Sequence, residues 1–158
     1  MRDFRVLRNT MDQRAPDRMG LIERILDFMG VKPVRRVLID SDVIEEALEI
    51  ARRSHPHEFV ALLEGKQEGD ALHITGLIFL PSRTSDEGAV MDVLMLPPFT
   101  GTVGSVHSHP GPSNLPSGAD MQFFSKNGLF HMIIAHPYTV ETIAAYTRQG
   151  VPVGFEVV

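Results

Sequence analysis

The sequence predicts an α/β (α+β) domain: a mainly β core packed by two helices and preceded by a helical N-terminal extension. Three observations predict it. Two amphipathic segments carry helix start and stop signals, one after Asp40 and one between Ser117 and Lys126. Short β-branched or apolar runs bounded by turn residues fill most of the chain after residue 57. The charge also changes sign: residues 1–40 carry a balance of +3 and residues 41–158 a balance of -8. The 158 residues, 43% of them apolar, suit one compact domain. A chain of that length buries roughly 68–70% of its unfolded surface and needs no disulfide to hold a core.

Taken in order, residues 1–17 are polar and Arg-rich, and read as irregular. Met19, Ile22, Leu26 and Met29 then fall at helical spacing, with Gly30 placed as a C′ glycine and Pro33 as a stop. This defines an extension over 1–33 and a domain over 34–158. Val34–Ile39 is β-branched enough for a strand. A helix follows, with Asp40, Ser41 or Asp42 as N-cap, an apolar face of Val43, Ile44, Ala47, Leu48 and Ala51, and Arg52 and Arg53 at its C-terminal end. Strands are expected at Glu58–Gly65, Ala71–Leu80, Ala89–Met95, Gly101–His107, Leu129–Ala135, Thr142–Tyr146 and Val151–Val157. The last helix fits Ser117–Lys126, ended by Asn127-Gly128.

Composition already excludes several chemistries. The chain has no cysteine, which removes thiol nucleophiles, thiolate clusters and Cys-ligated zinc. It fits a reducing, cytoplasmic setting. The acidic bulk argues against nucleic acid as a partner. The sequence holds no apolar run long enough for a membrane span and no recognisable signal peptide.

The chemistry concentrates in Gly104-Ser105-Val106-His107-Ser108-His109-Pro110 and its continuation through Pro116-Ser117-Gly118-Ala119-Asp120. Two histidines two apart at a strand end project to one face. Pro110 then ends the ladder and begins a Gly/Pro/Ser/Asn loop. Asp120 supplies a third ligand one helical turn from Ser117, which N-caps the helix in an S-x-x-[DE] pattern. Two His and one Asp leave a fourth position for water, the mark of a catalytic rather than a structural zinc site. The activated water needs a general base, and Glu58 and Glu64 both lie on the first core strand with the same parity. Six residues of strand span roughly 20 Å, so only one can reach the metal, and spacing does not choose between them.

The run His107-Ser108-His109, seven residues, Ser117, two residues, Asp120 resembles the H-x-H-x7-S-x2-D signature of the JAMM (MPN+) zinc metalloprotease family. His55-Pro56-His57-Glu58-Phe59 resembles the segment that carries that family's catalytic glutamate, which selects Glu58. The likeness runs from about Val34 to the C-terminus and is strongest to small stand-alone archaeal proteins. It implies a cytidine-deaminase-like fold, a mixed β-sheet flanked by helices. It further implies one Zn2+ per chain held by His107, His109 and Asp120, with Glu58 as general acid/base and Ser117 stabilising the oxyanion. The implied activity is isopeptidase cleavage of ubiquitin-like modifiers from lysine, the modifiers and their conjugates being the partners.

Other readings sit beside this one. The same residues would serve a peptidase that trims a sulfur-carrier protein or its C-terminal adduct. A catalytically silent scaffold of the same fold usually lacks some of the ligands, and this chain lacks none. Of the other histidines, His57 and His73 are expected as exposed strand or turn residues, and His131 and His136 as satisfied groups at strand edges; His55 has no partner that spacing identifies. The methionines read as core filler. The Met19–Met29 helix is expected to dock on the domain or on a second copy, as a homodimer.

Overall fold

Alternating apolar runs and turns build one mixed sheet with a helix on each face. The computed structural model describes residues 33–79, 83–85, 88–90 and 101–158; the Met19–Met29 helix and most of the Ala89–Met95 run lie outside them. The elements are β1 (Arg36–Ile39), α1 (Ser41–Ser54), β2 (Val60–Glu68), β3 (Ala71–Ile78), β4 (Arg83–Ser85), β5 (Gly88–Val90), β6 (Thr102–His109), α2 (Gly118–Lys126), β7 (Phe130–Ala135), β8 (Ile143–Thr147) and β9 (Glu156–Val157). Seven strands join in the order β8-β7-β6-β2-β3-β1-β9, while β4 and β5 pair separately. The β1–β3, β1–β9 and β6–β7 pairs are parallel, and β2–β3, β2–β6 and β7–β8 are antiparallel. Among the described residues no helix is long and apolar enough to cross a membrane.

The two faces are read from alternation along β7. Met132 and Ile134 belong to the main core with Val43, Ile44, Ala47, Leu48 and Ala51 of α1. Ile133, between them, packs instead with Phe124 of α2 and Tyr146 of β8. Successive strand side chains point to opposite faces, so α1 and α2 cover opposite sides. All six β7 residues are buried, which suits a strand that is apolar at every position except His131. Each Val, Leu, Ile or Met side chain buried beneath α1 contributes roughly 1.5–3 kcal/mol, so the α1 face anchors the sheet that carries the site.

Several expectations are corrected. Glu58 stands two residues ahead of β2 rather than on it. The β6 ladder runs through His109, two residues beyond the expected end at His107. The expected Val151–Val157 strand shrinks to Glu156–Val157, which joins β1, plus a lone Tyr146–Pro152 bridge. His73 is not a free surface residue: its Nε2 lies 2.7 Å from Asp40 Oδ1, because β3 runs beside β1 with His73 opposite Leu38. His136 is exposed beyond the end of β7, with its ring 5.3 Å from that of His55.

His131 is the larger departure. It lies on an interior strand, fully buried, with Nδ1 2.8 Å from Ser105 Oγ and its ring stacked on Phe124 at 4.2 Å. Its Nε2 reaches no partner at hydrogen-bond distance. Burial pushes its pKa down to about 4, and the Phe124 backbone opposes this only in part. An unfolded His titrates near 6.5, so below that pH the unfolded chain takes a proton the folded one refuses. Stability is therefore expected to fall as pH drops from about 6.5 towards 4, by about 3 kcal/mol at the lower end. Urea unfolding at about pH 7.5 and 4.5, on wild type and His131→Leu, measures it. The variant should lose much of the pH dependence; equal dependence in both would refute this assignment.

Candidate metal centre

Three ligand-type side chains converge at the end of β6 and the start of α2. His107 and His109 leave β6 on one face, with their Nε2 atoms 3.1 Å apart. Asp120 Oδ1 lies 3.1 Å from His107 Nε2, and Oδ2 lies 3.6 Å from His109 Nε2. Ligand atoms at tetrahedral corners around a zinc ion with bonds near 2.0–2.1 Å are about 3.3 Å apart. The donor set of two imidazole nitrogens and one carboxylate oxygen therefore fits such an ion in both chemistry and spacing. Among the described residues this is the one group of three or more ligand-type side chains so clustered.

Local sequence explains how each is held. Ser117 N-caps α2 and closes a capping box. Its Oγ accepts from the Asp120 N–H at 3.2 Å, and Asp120 Oδ2 accepts from the Ser117 N–H at 2.7 Å. The same pattern that starts the helix thus aims the carboxylate at the histidines. Burial pushes the Asp120 carboxyl up, but hydrogen bonds with His107 and with the Ser117 side chain and backbone outweigh it. They hold the group well below the usual carboxylate range, charged and ready to ligate.

For His109 the tautomer follows from its neighbour. Nδ1 lies 2.9 Å from the Ser113 carbonyl oxygen, which can only accept. Nδ1 therefore carries the hydrogen, and Nε2 of the neutral ring presents a lone pair to the centre.

Glu58 and Ser117 line the same cleft as His109 and Asp120, a space of about 440 Å³ walled on its apolar side by Pro110 and Pro112. Glu58 also acts on Tyr138, whose hydroxyl is pushed up first by burial and then by the Glu58 charge. Glu64 is not brought here: it pairs with Thr102, five residues back along β6 from His107, and its carboxylate sits over Gly76. The choice that spacing left open is a matter of which end of β2 meets the end of β6.

Sequence reasoning missed the residues that hold this arrangement. Ser108, between the two histidines, is fully buried on the opposite face. Its Oγ accepts from the Phe59 N–H and its own N–H donates to the Phe59 carbonyl, both at 3.0 Å. This fixes the chain beside Glu58. Strict alternation along β6 could have flagged it, since a Ser flanked by two site-facing histidines must point into the core side. Ser113 and Asn114 had no such signal, because loop geometry has no period, and nothing local links Tyr146 of β8 to that loop.

A family model described as prokaryotic homologs of the JAB domain matches residues 40–149. The chain belongs to this JAB family. A probable metalloprotease of Haloferax volcanii is 32% identical over 119 residues, 71% of this chain and 73% of that protein. A structure described as "JAMM: A Metalloprotease-like Zinc Site in the Proteasome and Signalosome" superposes with a TM-score of 0.61 at 33% identity. It covers 78% of this chain and 98% of that one. A JAB1/MPN domain protein from Archaeoglobus fulgidus gives a TM-score of 0.60 at 36% identity, covering 76% and 97%. The chain thus has the α+β JAB/JAMM architecture and belongs to a family of JAMM-type metalloproteases. The His107–His109–Asp120 cluster lies within the matched residues.

Proposed function

We propose that this JAB-family chain is a zinc-dependent isopeptidase that removes ubiquitin-like modifiers from lysine side chains of conjugated proteins. The observation that carries this reading is the convergence of His107, His109 and Asp120 on one point of a cleft that Glu58 and Ser117 also line. His107, His109 and Asp120 would hold the ion. When bound, zinc lowers the pKa of a water to about 7 and polarises a carbonyl oxygen.

The remaining work falls to the chain's own groups. Glu58 receives the proton of the attacking water and passes it to the lysine amine as the C–N bond breaks. The Ser117 oxygen already accepts from the Asp120 N–H, which leaves its own O–H free to donate. Directed at the carbonyl oxygen, that hydrogen stabilises charge as it develops; losing one such donor typically costs about 10²–10³ in turnover. Water is the nucleophile and no covalent intermediate is needed, in keeping with a chain that has no cysteine.

Metal analysis together with cleavage of a modifier–lysine conjugate tests the reading. The expected result is about one zinc per chain, turnover lost on chelation and turnover restored by added zinc. Turnover that survives complete metal removal would sink it. Cleavage confined to the C-terminal adduct of a sulfur-carrier protein would replace the isopeptidase by a trimming peptidase, and full zinc occupancy without any turnover would indicate a scaffold.

A further inference from the structure

The loop from Pro110 to Pro116 supplies the carbonyl that orients His109, and it is tied at both ends to other elements. At its start, the His136 N–H lies 3.1 Å from the His109 carbonyl and 3.0 Å from the Gly111 carbonyl. Towards its end, Asn114 is gripped twice: its Nδ2 donates to the Thr142 carbonyl at 3.2 Å, and its own carbonyl accepts from the Tyr146 hydroxyl at 2.8 Å. Tyr146 belongs to edge strand β8, far from the cleft in sequence, and is 4% exposed. Its ring stacks on Phe124 of α2 at 6.3 Å, and Phe124 in turn lies 6.2 Å from the His107 ring.

We propose that Tyr146 is a positioning residue for the metal centre, joining the loop that orients His109 to the helix that carries Asp120. The inference rests on the metal-site reading above. The Ser113 carbonyl belongs to the peptide unit between Ser113 and Asn114. That unit keeps its direction only while residue 114 is held on its far side. Tyr146 holds it there through one hydroxyl and braces α2 through its ring. Burial pushes the Tyr146 hydroxyl up, so it stays protonated and remains a donor. Without that bond the 113–114 peptide can rotate away from His109. The ring then loses the acceptor that keeps its hydrogen on Nδ1, and Nε2 no longer presents a fixed lone pair. Groups that orient metal-ligating histidines typically affect metal affinity by about 10–100-fold.

Tyr146→Phe removes the hydroxyl and keeps the ring stack, so α2 should stay in place. Two readouts apply. In the metal-free protein near pH 8, well above the usual His range, 15N spectra of the His109 ring should show a single Nδ1–H tautomer in wild type and a mixture in the variant. Competition with a chelator, using zinc alone as the probe, should show binding about 10-fold weaker. Asn114→Ala, at a half-buried loop position, removes the other tie and should move both readouts in the same direction. A purely structural role for Tyr146 would lower the melting temperature and leave the His109 spectrum unchanged. That outcome, or zinc affinity within about twofold of wild type in both variants, overturns the proposal. Wild-type protein that fails to bind zinc overturns the metal-site reading instead, and the metal-free spectrum still decides the role of Tyr146.

Discussion

Replacing Glu58 by Gln is expected to lower kcat on a modifier–lysine conjugate about 10²- to 10⁴-fold, the range typical of a lost general acid/base, while zinc content stays at the wild-type level. Gln keeps the shape and hydrogen-bonding reach of Glu but cannot take a proton at neutral pH. Glu58 is exposed, lies outside the His107–His109–Asp120 group, and supplies none of that group's ligand atoms. Its loss should therefore leave the fold and the metal untouched. The measurement is a progress curve paired with metal analysis of the same sample. Activity within about threefold of wild type, well short of a lost acid/base, would show that the proton travels by another group. Zinc loss with inactivity would make Glu58 a support for the metal instead.

The second large effect is structural. Gly104→Ala is expected to destabilise the fold by more than about 3 kcal/mol, beyond the usual cost of overpacking. A Cβ at Gly104 would stand 1.6 Å from the Phe130 carbonyl oxygen and 2.7 Å from its carbon. Both atoms are backbone of the paired strand, with Gly104 directly opposite Phe130 in the parallel β6–β7 ladder. No side-chain rotation relieves the clash, so the strands must separate. That same register sets Ser105 beside His131 and His107 beside Ile133, so any surviving folded protein should also bind zinc weakly. Urea unfolding measures the effect; stability within about 0.5 kcal/mol of wild type, the scale of an ordinary surface change, would mean that the ladder opens at little cost.

How much was legible beforehand varied with the kind of signal. The α1 face was readable because five apolar residues at helical spacing can be buried only one way. The α2 start was readable because a capping box is a local pattern of four residues. His107 and His109 shared a face by strand parity alone. The β2 boundary was less legible, since Glu58 and Phe59 carry no turn signal. Phe59 owes its hydrogen bonds to Ser108, 49 positions further along the chain. The C-terminal run looked like a full strand by composition, yet only Glu156 and Val157 meet β1. Pairing depends on a partner that propensity does not describe. His131 offers the same lesson: the apolar residues around it suit a strand covered on both faces, yet nothing local says that its ring will stack on Phe124 of α2.

By itself, then, the sequence determined the donor types, their spacing and their local directions: two imidazoles two apart, and a carboxylate one helical turn from a serine. It determined as well that a cysteine nucleophile is impossible. These are short-range properties, fixed by strand alternation and by the first turn of a helix. Resemblance had already selected Glu58, but only tertiary structure decided how it comes to face the cleft, which nitrogen of His109 carries its hydrogen, and what holds the loop that fixes it. Glu58 reaches the site because β2 runs antiparallel to β6, bringing the start of one to the end of the other. His109 keeps its tautomer because Ser113 is held through Asn114 by a tyrosine 32 residues beyond it. Such contacts join segments with no common period, and only the packed sheet brings them within hydrogen-bond distance.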